Sequence, residues 1–109
     1  MPDPTIPESR PIHPDGASRI ATHVTLHGRV QGVFYRNWTV DQALGLGLDG
    51  WVRNRNDGTV EAVFAGTPHA VADMVTRCRR GPPHAVVTDV DAKPVADPGA
   101  TGFHKLPTV

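Results

Sequence analysis

The stretch "GWVRNRNDGTVEAVFAG", residues 50–66, constrains the fold more than any other part of the chain. Two β-rich runs flank Asn56-Asp57-Gly58. Asp-Gly between such runs is a strong hairpin signal, because glycine takes the positive φ of a tight turn without a Cβ in the way. A hairpin in mid-chain obliges the segments on either side to pack against it.

Those segments have complementary patterns. Ile20, Thr22, Val24 and Leu26 alternate with Ala21, His23, Thr25 and His27, a two-residue period that predicts a strand with one buried face. Residues 35–46, "YRNWTVDQALGL", read as a helix with Tyr35, Thr39, Ala43 and Leu46 on one side and Gly47 as its C′ stop. After the hairpin, Thr67-Pro68 supplies an N-cap with proline at N1. Val71, Met74, Val75 and Cys78 follow at i, i+3, i+4 and i+7, one face of a second helix that Gly81-Pro82-Pro83 ends. Residues 85–92 predict another strand, and the apolar parity changes between Val87 and Val90, which predicts a bulge or bend. Lys93-Pro94 is expected to cut that strand short. Phe103 to Leu106 predict a last short strand.

The order is β-α-β-β-α-β with an extra β. It predicts an α+β, ferredoxin-like βαββαβ sandwich: an antiparallel sheet of four to five strands with two helices on one face. With 109 residues the chain is long enough for one domain. Residues 1–19 hold five prolines and almost nothing to bury, so they are expected to form a disordered proline-rich tail, leaving 20–109 as the domain.

Charge and cysteine content narrow the function. Eleven basic residues balance eleven acidic ones, which gives no field to draw nucleic acid or an anionic membrane. Cys78 is the only cysteine, which rules out an intramolecular disulfide and a cysteine zinc site. No apolar run approaches the roughly 20 residues needed to span a bilayer, and no signal pattern opens the chain. The expectation is a cytoplasmic monomer with no membrane and no nucleic-acid partner. His23 and His27 fall at i and i+4 on one strand face, but two histidines make a poor ligand set, and all six read as surface or sheet-face residues, so no metal or cofactor is expected.

Chemistry concentrates in "LHGRVQGVFYRNW", residues 26–38. A glycine-rich turn between strand and helix leaves backbone amides free, and the helix dipole adds positive potential. Gly28 and Gly32 let the backbone bend and let a ligand approach. Arg36 falls in the first helical turn, beside those amides. The arrangement suits a compact anion such as phosphate, or it is simply a sharp turn followed by a solvated arginine. It is neither a P-loop nor a dinucleotide fingerprint. In the hairpin stretch, Asn54 sits near the end of a strand that a ferredoxin-like sheet brings close to this turn, whereas Arg53 and Arg55 read as solvated strand residues. An RNA-binding domain of the same fold is disfavoured, because the aromatics here follow the strand and the net charge is zero.

The segments "GRVQGVFYR" and "GWVRNRNDGTVE" closely resemble the two signature segments of the acylphosphatase family, Gly-x-Val-Gln-Gly-Val-x-aromatic-Arg and Gly-x-Val-x-Asn…Asp-Gly-x-Val-Glu. The resemblance runs over about residues 20–106 and includes the "CRRGPP" that follows the second helix. It implies a hydrolase that cleaves the carboxyl–phosphate bond of small acyl phosphates, without metal and without a covalent phosphoenzyme. It also implies roles for particular residues. Arg36 matches the substrate-binding arginine, and Asn54 the asparagine that positions the attacking water. Gln31, Gly32, Val33, Phe34 and Tyr35 match the loop whose amides cradle the phosphoryl group. The competing expectation is a non-catalytic anion-binding module with the same cradle. Lys105 stands where the family more often carries an apolar residue.

Overall fold

The computed structural model describes residues 19–109. Apart from Arg19, the tail expected at 1–19 lies outside the described residues. The elements run β1 (Ile20–Arg29), α1 (Tyr35–Gly45), β2 (Asp49–Asn54), β3 (Val60–Gly66), α2 (Pro68–Arg80), β4 (Val86–Val95) and β5 (Phe103–Lys105). They build a five-stranded sheet in the order β4-β1-β3-β2-β5.

The hairpin forms as its turn residues require. Gly58 N donates to Arg55 O and Arg55 N to Thr59 O. Asp57 Oδ1 accepts from both the amide (2.9 Å) and the hydroxyl (2.6 Å) of Thr59, the local side-chain turn that aspartate favours. The pairs Asp49↔Ala65 to Asn54↔Val60 follow. β3 lies at the centre of the sheet, and all seven of its residues are buried.

Both helices lie on one sheet face. Val24 and Leu26 of β1, Val52 of β2 and Phe64 of β3 are fully buried there with Met74 and Cys78 of α2. Thr39, polar yet buried in the α1 stripe, donates its hydroxyl to Tyr35 O at 2.8 Å, so it buries no unpaired group. The Thr67 hydroxyl accepts from Ala70 N, and Pro68 opens α2 as expected. A smaller cluster, Ala21, Val63 and Ala65 with Trp51 against it, occupies the opposite face.

Three expectations need correction. The sheet is mixed: β5 joins β2 in parallel, through Gly50↔Phe103, Trp51↔His104 and Val52↔Lys105. Lys93-Pro94 does not end β4, which pairs with β1 as far as Ala21↔Val95. Proline is tolerated because β4 is an edge strand among the described residues, with β1 on one side only. Gly28 belongs to β1 and serves the sheet. The register shifts between His27 and Gly28, opposite Asp89 and Val87, leaving Thr88 as the extra residue of the expected bulge. Gly28 has φ 116°, and a Cβ there would lie 2.2 Å from Val86 O. Its missing side chain is therefore required by β4 and is not available to a ligand.

Arg19, grouped by composition with the preceding tail, makes ion pairs with Asp49 and Asp97. These tie the start of β1 to β2 and to the segment after β4.

Candidate active site

The chain leaves β1 at Arg29 and enters α1 at Tyr35. In between, Val30 and Val33 are buried in the core and Gly32 points outward. Gly32 has φ 72°, and a Cβ there would meet nothing within 4 Å. The glycine thus supplies a backbone conformation, and the space beside it stays open. Phe34 follows at φ 62°, the only non-glycine residue with positive φ among those described, and it is 78% exposed. A large apolar side chain held outward in the left-handed region is strained, a feature that gathers at functional sites.

Phe34 is also the N-cap residue of α1. It offers no capping side chain, and the first turn carries no acidic residue. The first helical bond is Trp38 N to Phe34 O, at 3.0 Å. The amides of Tyr35, Arg36 and Asn37 thus have no helical acceptor, and no carboxylate stands by to repel an anion.

Two buried contacts fix this loop. The Tyr35 hydroxyl donates to Cys78 O in α2. Burial pushes that phenol well above its usual range, so it stays protonated and donating. The Gln31 side-chain amide donates to Arg55 O (2.7 Å) and Thr59 O (2.8 Å). The loop and the β2–β3 turn are therefore stapled to each other.

The staple brings the expected residues together. A cleft of about 380 Å³ is lined by Val30, Gly32, Phe34, Tyr35, Arg36, Asn37, Asn54 and Lys105. Asn54 closes β2 with its side chain on the same face as buried Val52, two residues earlier. Among the described residues, neither the Arg36 guanidinium nor the Asn54 carboxamide makes a side-chain hydrogen bond, and both line the cleft. Of the expected cradle residues, Gly32, Phe34 and Tyr35 line the cleft, while Gln31 and buried Val33 support it from behind.

Three lining residues were not expected: Val30, Asn37 and Lys105. Lys105 Nζ donates to Asn37 Oδ1 at 3.0 Å. Asn37 could have been found as the next residue of the first helical turn. Lys105 could not, because its place depends on the pairing partner of β5.

Arg53 and Arg55 are committed elsewhere. On the opposite sheet face, Glu61 accepts from Arg53 Nε (2.8 Å) and Arg55 Nη1 (3.2 Å), and lies 2.7 Å from His23 Nε2. The Arg53 guanidinium also stacks over Trp51, 4.7 Å from the ring centroid. Burial works against a charged Glu61, but the hydrogen bonds from His23, Arg53 and Arg55 outweigh it and hold the carboxyl at about 2. His27, Asp89 and Asp91 bring their ligand atoms within 4.8 Å of one another on the β1–β4 edge, and none of them lines the cleft.

An uncapped helix start, a guanidinium and a free carboxamide facing one cleft can hold a tetrahedral anion and orient a water beside it. Known proteins point the same way. The acylphosphatase family model matches residues 22–105. An acylphosphatase from Rhizorhabdus wittichii is 52% identical over 95 residues, covering 87% of this chain and 96% of that relative. One from Rhodospirillum rubrum is 56% identical over 86 residues, covering 79% and 94%. The solved acylphosphatase structure from Coxiella burnetii superposes with a TM-score of 0.79 at 33% identity, covering 81% of this chain and 93% of that one. With the fold, the two segments and these likenesses in agreement, the chain belongs to the acylphosphatase family.

Proposed function

We propose that this acylphosphatase cleaves the carboxyl–phosphate bond of small acyl phosphates by in-line attack of water, with Arg36 and Asn54 as its catalytic residues. The observation that carries the reading is the single cleft onto which Arg36, the uncapped start of α1 and Asn54 all open. Arg36 grips two phosphoryl oxygens as a fork, and the amides from Gly32 to Tyr35 take the third. Gln31 and Val33 hold that loop in place.

Asn54 accepts one hydrogen of a water through its carbonyl oxygen and so aims the lone pair at phosphorus. As the water oxygen bonds to phosphorus, the bond from phosphorus to the acyl oxygen breaks. The electron pair leaves with the carboxylate. The water proton passes to a phosphoryl oxygen of the substrate, and the products are carboxylate and inorganic phosphate. A carboxylate is a good leaving group, so the reaction draws on alignment and charge stabilisation more than on a strong general acid. No metal or cofactor takes part in this scheme.

We take the active unit to be a monomer. No helix among the described residues is long and apolar enough to cross a membrane, and we place the enzyme in the cytoplasm.

Benzoyl phosphate hydrolysis with and without EDTA tests the reading. Turnover that EDTA leaves unchanged is expected, and Arg36→Gln and Asn54→Ala should each lower it by about 10²–10³. Phosphate binding without turnover in the unaltered protein would instead identify an anion-binding module.

A further inference from the structure

We infer that Lys105 selects, among small acyl phosphates, those whose acyl portion carries a second negative charge. The inference rests on the cleft being the acyl-phosphate site and concerns the part of the substrate that the phosphoryl cradle does not touch.

Strand parity sets the position of Lys105. Phe103 faces the helices, buried and stacked on Phe64 with ring centroids 5.4 Å apart. Lys105, two residues on, projects to the same side. Its strand partner is Val52, two residues before Asn54. Lys105 therefore stands one strand away from Asn54, on the face that carries the start of α1. Its Nζ donates to Asn37 Oδ1, which immediately follows Arg36.

The charge balance of the cleft gives that position a meaning. The lining holds two cations, Arg36 and Lys105, and no carboxylate. The cradle and Arg36 already answer the phosphoryl charge. Lys105 differs from Arg36 in being exposed and held by a neutral partner that occupies one of its three N–H groups. A cation at the cleft rim, beside rather than within the cradle, fits a carboxylate at the far end of a short acyl chain. A neutral acyl chain gains nothing from it.

Succinyl phosphate and butyryl phosphate test this, since they share a chain length and differ in the terminal carboxylate. The quantity read is the ratio of their kcat/KM values at low ionic strength. Lys105→Met should lower that ratio about fivefold, the upper range for an exposed charge pair, mostly through the KM of succinyl phosphate. Lys105→Arg should keep the ratio, and added salt should erode it in the unaltered enzyme. A ratio unchanged in Lys105→Met overturns the inference. So does an equal loss on both substrates, because that would put the ammonium on the phosphoryl group. Calorimetric titration with succinyl and butyryl phosphonates, which water does not cleave, reads the same ratio as dissociation constants. A failed ratio there is thereby separated from a protein that hydrolyses neither acyl phosphate.

Discussion

The Gln31 side-chain amide donates to the main-chain carbonyl of Arg55 at 2.7 Å, across 24 residues of sequence. With its second bond to Thr59 O, it makes the distance between the β1–α1 loop and the end of β2 a fixed quantity. Gln31→Leu should remove one of two donors from each of these carbonyls, which keep their turn hydrogen bonds, and cost about 1 kcal/mol of stability. Arg36 and Asn54 should then lose their mutual alignment, and kcat/KM should fall at least about tenfold. Urea denaturation alongside a benzoyl phosphate assay reads both effects. Wild-type kinetics in a destabilised Gln31→Leu would show that the staple serves the fold alone.

Arg36→Lys keeps the charge and removes the fork. A lysine ammonium cannot bridge two phosphoryl oxygens in one plane, so turnover should drop about 10²-fold while inorganic phosphate still inhibits. Near-normal turnover in Arg36→Lys would mean that charge suffices and the bidentate grip is unnecessary.

Gly28 of β1 and Gly32 of the loop that follows should separate cleanly on substitution. Gly28→Ala drives a methyl against Val86 O at a φ of 116°, and about 2–4 kcal/mol of stability should be lost to strain and displaced backbone. Gly32→Ala meets no neighbour and should cost only about 1–2 kcal/mol for the left-handed backbone. Gly32 lines the cleft, however, so substrate affinity should fall. Thermal melts and KM values for the pair would expose a reversal of this order.

Glu61 should give acid stability a recognisable shape. Its carboxyl is held at about 2 in the fold against 4.5 ordinarily, so the folded state releases this proton more readily than the unfolded chain. The resulting stability is fully present above about pH 4.5. It is lost as pH falls towards 2, because the unfolded chain takes up the proton first. Glu61→Gln should lower stability at pH 7 and flatten the curve between pH 4.5 and 2. Parallel curves for the two proteins across that window would remove Glu61 from the account.

Much of this was legible in the sequence, for local reasons. Thr67-Pro68, Asp57-Gly58 and the Met74–Cys78 stripe act within a few residues, so their patterns carry their structures. Arg36 and Asn54 were legible through the two signature segments, and the strand order brought them together. What escaped was decided at a distance. Three residues of β5 show that a strand exists but not which strand it joins or in which direction, and Lys105 enters the cleft only through that choice. Gly28 looked like part of a ligand turn because its true neighbour, Val86 O, is 58 positions away. Pro94 looked like a strand end because its position on the sheet edge depends on β4 pairing with β1 alone.

That edge has a consequence for how the protein survives at high concentration. β4 is ten residues long and mostly exposed, and among the described residues no strand pairs with its outer flank, the form of surface onto which a second chain can add itself as a further strand. Asp89, Asp91 and Lys93 put charge along it, the bulge at Thr88 breaks its regularity, and Pro94 has no N–H to share. Each of these discourages strand addition, so the residues that made the fourth strand hard to read also guard the molecule against aggregation.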